Sequence, residues 1–217
     1  MEINLLKKYP VTRRNLDKRK TQKNPKSIEI ARRFEKDFFD GDKQHGYGGH
    51  YYNEKFWSGV VDDFIKHYKL TNQSSILDVG CAKGFMLYDF KKKLPNLKVT
   101  GIDISKYAIS NGKEELKDFL KVGNAKKLDF NDNSFDLVIA INTIHNLEED
   151  DCATALREIQ RVTKKNAYVV LDAYSNEIER EKMFSWNLTG KTIKHKDEWK
   201  FFFKKNNYLG DYYWFTP

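Results

Sequence analysis

The stretch SSILDVGCAKGF, residues 74–85, decides how the rest of the chain is read. An apolar run from Ser75 to Val79 carries an acid, Asp78, and then breaks into Gly80, Ala82 and Gly84. A second apolar segment begins at once with Phe85. Strand, turn and helix start are thus packed into a dozen residues. Small residues at every second turn position let something lie close against the backbone.

Outward from this turn the chain alternates. Strands are expected within 75–80, 98–105, 119–125, 135–141 and 167–174, and helices over 84–94, 105–119 and 149–163. A last helix is expected at 197–207 and a last strand at 211–215. Short Val, Ile and Leu runs separated by helical stretches indicate an α/β fold. The expected architecture is a Rossmann-like, doubly wound, mainly parallel sheet with helices on both faces and a short C-terminal edge.

Residues 1–52 read as an N-terminal extension and lid, and residues 53–217 as the main domain. The extension holds an expected helix over 27–41 and the segment HGYGGHYY, residues 45–52. From Phe56 an amphipathic helix follows, with Trp57, Val60, Val61, Phe64, Ile65 and Tyr68 on one face.

A chain of 217 residues can bury a sizeable core. At 40% hydrophobic and 14% aromatic it is no disordered polymer. No apolar run approaches the roughly 20 residues of a membrane span. The first thirty residues are polar and basic, without a secretory apolar core, so the cytoplasm is the expected location. Two cysteines, Cys81 and Cys152, form neither a disulfide framework nor a zinc pattern, so no metal is expected. Cys81 reads as a small buried filler. The net charge of +8 arises from 39 Lys and Arg against 31 Asp and Glu. Compositional drift explains this blandly; an anionic partner explains it functionally. Residues 1–26 hold nine basic residues against Glu2 and Asp17.

In an open parallel sheet the first strand–helix turn is a usual ligand site. A dinucleotide needs G-x-G-x-x-G, which this turn lacks. An acid at its mouth would repel a pyrophosphate and suit an ammonium group.

The run LDVGCAKG resembles the first motif of class I S-adenosylmethionine-dependent methyltransferases, acidic-x-Gly-x-Gly-x-Gly, with Ala82 in place of the middle glycine. VTGIDIS, VGNAKKLDF and FDLVIAINTIHNL resemble the next three motifs in order. The resemblance implies a methyltransferase whose cofactor is S-adenosylmethionine. It implies cofactor contacts at Asp78, Gly80, Ala82, Gly84, Asp103, Ile104, Asn124, Ala125 and Ile141, with Asp103 taking the ribose hydroxyls and the segment around Asn124 cradling adenine. Bland readings compete at single positions. Gly80 and Gly84 suit tight packing, and Asp103 suits a helix cap.

For the methyl acceptor, His145 at the exit of the fourth strand reads as a general base or as a pocket wall. His50 and Tyr47 in the glycine-rich segment are further catalytic candidates. Tyr174 and Arg14 are candidate acceptor contacts, whereas His67 and His195 read as solvated. GYGGHYYNEKFW and WNLTGKTIKHKDEW resemble small methyltransferases of bacterial surface-polysaccharide gene sets. That likeness implies a nucleotide-linked sugar or phosphorylated precursor as a small anionic acceptor. An RNA methyltransferase using residues 1–26 as a phosphate-tracking arm is the alternative, disfavoured because no RNA-binding module or NPPY-type motif is present. A non-catalytic partner subunit is disfavoured by the intact acids. No membrane partner is expected, and oligomerisation stays open.

Overall fold

β1, Ser75–Val79, sits between β2, Lys98–Asp103, and β4, Phe135–Ile141, and is paired in parallel with both. The structure, a computed structural model, describes residues 1–10, 15–48 and 50–217. β3, Leu120–Val122, flanks β2, and β5, Thr163–Tyr174, flanks β4. The far edge of β5 is filled twice. β7, Asp211–Phe215, pairs along Tyr168–Asp172, and β6, Lys194–His195, pairs at Ala173 and Tyr174. Every one of these pairings is parallel.

All strand carboxyl ends therefore point one way. The near-continuous burial of β1 and β4 follows from cover on both faces. Along β4, alternate residues serve opposite cores: Val138 and Ala140 pack with one, Leu137 and Ile139 with the other. The first core takes Ala155, Leu156 and Ile159 of α7, Glu149–Val162, and Trp199 and Phe203 of α9, Lys196–Lys205. The second takes Val60, Val61 and Phe64 of α4, Glu54–Tyr68, and Leu87 and Phe90 of α5, Phe85–Lys93. Among the described residues, no helix is long and apolar enough to cross a membrane.

Several elements depart from expectation. The helix expected over 27–41 is broken into α2, Pro25–Arg32, and α3, Lys36–Phe39, where Phe34 turns left-handed at φ 52°. The helix expected over 105–119 is only α6, Lys106–Ser110, followed by a 3-10 turn at Glu114–Phe119. Gly112 stands at that break, and a Cβ there would lie 2.5 Å from Leu120 Cδ1. β5 begins at Thr163, directly after α7, earlier than the hydrophobic run announced. α1, Leu16–Gln22, α8, Glu177–Trp186, and β6 were not anticipated.

Residues 1–9 pack on the body. Ile3 N–H donates to Tyr212 O at 2.9 Å, and Tyr212 N–H to Met1 O at 3.0 Å, so they cover the edge of β7. Leu5 lies in the core, and its N–H donates to the Tyr168 hydroxyl.

Candidate cofactor and acceptor site

Every element of the turn after β1 is held from below. Gly80 and Cys81 N–H both donate to Ile102 O, at 2.8 and 3.0 Å, which ties the turn to β2. Gly80, Ala82 and Gly84 have φ of 84°, 49° and 75°. A Cβ on Gly80 would lie 2.1 Å from Thr143 Oγ1, and one on Gly84 would lie 3.1 Å from Leu120 methyls. Packing thus demands glycine at position 80, and the left-handed backbone favours it at 84. Ala82 carries its left-handed strain as a non-glycine residue, with its N–H committed to Asp103.

Asp103 closes the turn from the end of β2. Its Oδ2 accepts from Ala82 N–H and its Oδ1 from Ser105 N–H, each at 2.8 Å. The cap of α6 is instead Ser105, whose hydroxyl accepts from Ala108 N–H at 3.0 Å. Each Asp103 oxygen keeps a second lone pair for another donor. Burial raises its pKa, with the two backbone bonds acting against that rise.

Asp78 is different. It is buried at 6% exposure, and among the described residues its carboxylate takes no hydrogen bond and no ion pair. Burial, reinforced by the charge of Asp103, pushes its pKa up to about 7. Two buried acids side by side without a cation make a cation-seeking site. An α-ammonium beside a ribose would answer both, which is the polar end of S-adenosylmethionine. The residues present fit that cofactor.

The lysine nearest in sequence does not supply the charge. Lys83 Nζ reaches both Asp40 oxygens, at 2.6 and 2.7 Å, and His50 O at 3.0 Å. Asp40 also accepts from the Tyr107 hydroxyl at 2.7 Å. Although burial alone would raise it, these bonds hold the Asp40 carboxyl below its usual range. The segment between α3 and α4 is thereby fastened to the turn and to α6. Sequence reading missed this clamp: Lys83 stood at an unassigned motif position, and Asp40 lies 43 residues away.

At the ends of β2 and β3, Ile104 is 56% exposed and Val122 49% exposed, an apolar ledge beside Asp103. Asn124 is exposed, and its Oδ1 accepts from Lys126 N–H at 3.0 Å. Ala125 and Ile141 are half-buried against the two cores. Cys81 is a buried free thiol whose pKa burial pushes well up, as suits a filler.

The acceptor candidates are committed more deeply than expected. His145, in the turn Ile144–Asn146, is 3% exposed. Its Nδ1 accepts from Asp172 N–H at 3.1 Å, which leaves the neutral ring's proton on Nε2, 3.4 Å from Asp172 Oδ2. Burial lowers its pKa, against the pull of Asp172. This geometry favours the pocket-wall reading over the general base, since neither ring nitrogen faces open space. The Tyr47 hydroxyl accepts from Leu188 N–H at 2.6 Å and Thr189 N–H at 3.3 Å, joining the glycine-rich segment to the loop after α8. His50 is half-buried, with Nδ1 3.8 Å from Asp40 Oδ1. Tyr174, half-buried at the end of β5, has its ring 5.7 Å from that of His195. His195 is no solvated bystander: its Nδ1 caps α9 by accepting from Asp197 N–H at 3.2 Å. His67 likewise sits 3.3 Å from Asp211 Oδ2. Arg14 lies outside the described residues, as does Gly49. Among the described residues, no group of three His, Cys, Asp or Glu could hold a metal.

Comparison with known proteins bears on the same half of the molecule. Residues 77–171 match the family model described as a methyltransferase domain. The chain is 32% identical over 117 residues to an uncharacterized methyltransferase of Schizosaccharomyces pombe, covering 48% of this chain and 41% of that protein. It is 33% identical over 102 residues to the demethylmenaquinone methyltransferase of Thermotoga maritima, covering 46% and 43%. It spans less than half the length of either relative. The crystal structure of MccD protein superposes with a TM-score of 0.52 at 24% identity, covering 67% of this chain and 68% of that one, which shows the fold. Over residues 77–171 the chain is thus similar to methyltransferase domains, on a fold shared with MccD protein.

Proposed function

We propose that the chain transfers the methyl group of S-adenosylmethionine to an oxygen or nitrogen of a small anionic metabolite. The acceptor class is a nucleotide-linked sugar or a phosphorylated precursor of a capsule or surface polysaccharide. The observation that carries the methyl-transfer part is the unanswered buried carboxylate of Asp78 beside a left-handed turn and a second acid. Asp78 takes the ammonium, the free lone pairs of Asp103 take the ribose hydroxyls, and Ile104, Asn124, Ala125 and Ile141 flank adenine.

When bound, the cofactor supplies an activated methyl on a sulfonium. The chain's own task is then to orient an acceptor behind it and exclude water, worth several orders of magnitude in rate. An acceptor that is already anionic needs no base, which agrees with a His145 whose nitrogens are occupied. His50 and Tyr174 are half-buried acceptor-side contacts, and Tyr47 is 40% exposed with its hydroxyl occupied. The segment between α3 and α4 acts as the lid, clamped through Lys83 and Asp40. The basic balance of the chain supports an anionic acceptor. The quinone-type acceptor named for the Thermotoga relative is not carried over, because that likeness covers less than half of each chain.

Calorimetry with S-adenosylhomocysteine, and transfer of labelled methyl to a panel of nucleotide sugars, test this. Saturable S-adenosylhomocysteine binding and label on one sugar nucleotide are expected. Tighter binding of NADH than of S-adenosylhomocysteine would sink the reading, and label only on neutral acceptors would sink the substrate class.

A further inference from the structure

A groove of about 800 Å³ opens where α1 and the start of α2 meet α8. Lys20, Lys23 and Arg180 line it, with Ile28 and Phe184 as its apolar surface and Glu181 as its acid. None of these residues belongs to the cofactor turn. That volume is the size of a small-molecule site.

Among the described residues, Lys23, Arg19 and Arg32 have no carboxylate partner. Lys23 donates its ammonium to Phe184 O. Arg19, buried behind the groove, donates to Gln44 O at 3.1 Å and Gly46 O at 2.8 Å. Arg32 donates to Gly190 O at 3.1 Å. A carbonyl satisfies a donor's hydrogen bond but does not cancel its charge. Arg19 also lies over the rings of Tyr47 and Trp186, at 5.6 and 4.8 Å. Arg180 is partly neutralised by Glu177 at 2.7 Å and lies 5.1 Å over the Phe184 ring. Burial lowers the pKa of Lys23, and Arg32 and Arg19 lower it further, the signature of cations crowded together.

We propose that this groove binds a phosphorylated small molecule of the nucleoside diphosphate class, with its phosphates on Lys20, Lys23 and Arg180. Lys23, half-buried beside the buried Arg19, is a crowded cation that a multiply charged anion would stabilise, with the exposed Lys20 and Arg180 within the same lining. Phe184, 45% exposed, and Ile28 offer a flat apolar surface for the ligand's base or sugar. The volume of the groove, about 800 Å³, favours one small molecule over a nucleic-acid track. Arg19 joins the groove to the acceptor-side segment, because the carbonyls it holds, Gln44 and Gly46, flank the start of HGYGGHYY. The inference deepens the proposed anionic acceptor and rests on it for the ligand's role, while its charge argument is independent of methyl transfer.

The test is calorimetry of the full chain with uridine diphosphate, inorganic pyrophosphate and S-adenosylhomocysteine at fixed salt. Lys20→Gln combined with Arg180→Gln, both on the surface, should weaken uridine diphosphate at least tenfold and leave S-adenosylhomocysteine within twofold. Lys23→Gln should weaken both phosphate probes. Phe184→Ala should weaken uridine diphosphate and leave pyrophosphate unchanged. No saturable binding of either phosphate probe at millimolar concentration overturns the site, as does unchanged affinity in the surface pair. A single-stranded RNA that binds more tightly than uridine diphosphate, with a steep salt dependence lost in the same variants, overturns the small-molecule assignment. Failure of S-adenosylhomocysteine to bind the unaltered chain would remove the methyl-transfer reading and leave the groove standing.

Discussion

Two carboxylates, Asp78 at the end of β1 and Asp172 in β5, are almost equally buried and are treated in opposite ways. Asp172 is answered on all sides. His145 faces its Oδ2, Asn187 Nδ2 donates to that same oxygen, and Trp199 Nε1 donates to its carbonyl at 3.0 Å. The His145 carbonyl in turn accepts from Lys191 and Thr192 N–H. Asp78 has only the repulsion of Asp103. Buried polar groups are nearly always satisfied, so a satisfied network marks scaffold and an unsatisfied acid marks a place kept for a ligand. The difference separates the two ends of one sheet edge: on the proposed reading, β1 and β2 hold the cofactor, and β4 and β5 hold the wall.

The sharpest way to break this contrast is Asp103→Ala. It removes the proposed acceptors for two ribose hydroxyls, each bond to a charged group being worth about 1.5–3 kcal/mol. S-adenosylhomocysteine affinity should fall by roughly a hundredfold or more. An unchanged dissociation constant by calorimetry would end the assignment of the β2 acid.

Next in size is the pH dependence of Asp78. Its folded pKa of about 7 lies above the unfolded value of about 3.9, so between these the folded chain holds a proton that the unfolded chain has released. The stability this group contributes is complete below about pH 4 and is lost as pH rises towards 7. Cofactor binding runs the other way, because an ammonium selects the ionised acid. S-adenosylhomocysteine affinity should rise roughly ten- to thirtyfold from pH 5.5 to 7.5 and then level off. Asp78→Asn should flatten both profiles. A profile equally steep in that variant would assign the titration elsewhere.

The strand, turn and helix of the proposed cofactor site were legible in the sequence because their signals are local. The run from Ser75 to Val79, the alternating small residues and the acid at Asp103 all announce themselves within a few positions. What stayed hidden depends on distant contacts. Gly112 breaks a helix because Leu120 packs over it, and Lys113 N–H is drawn to Lys83 O at 2.9 Å. Asp40 gains meaning only from Lys83, and the Tyr47 hydroxyl only from a backbone N–H 141 residues away. His145 was legible as a position but not as a role, because burial beside Asp172 decides what its nitrogens can do.

The clamp itself offers a smaller effect. Lys83→Met leaves Asp40 facing a pocket without its cation, in a pair whose acid is 23% exposed. A loss of about 1–3 kcal/mol in urea-unfolding stability is expected, between the values for exposed and buried pairs. S-adenosylhomocysteine affinity should fall only a fewfold, since the turn keeps its bonds to Ile102 and Asp103. A double-mutant cycle with Asp40→Asn isolates the coupling, and a coupling of zero would mean that the segment is held by its aromatic contacts instead.

The smallest expected effect on cofactor affinity belongs to the answered side of the molecule. The Tyr47 hydroxyl accepts two backbone N–H groups of the loop after α8, so Tyr47→Phe strands both donors. Leu188 and Thr189 are buried, and leaving their N–H groups unpaired should cost about 1–3 kcal/mol of stability. Because Tyr47 touches no part of the proposed cofactor site, S-adenosylhomocysteine affinity should stay within twofold. Turnover separates two roles that stability cannot. As a strut, Tyr47 would lower kcat/KM only as far as the loop moves, and a temperature below the unfolding onset would restore it. As an acceptor contact, it would lower kcat/KM at every temperature with the fold intact. The first result keeps Tyr47 with His145 and Asp172 as scaffold. The second moves it across the comparison, to the side where a polar group is held ready for a ligand.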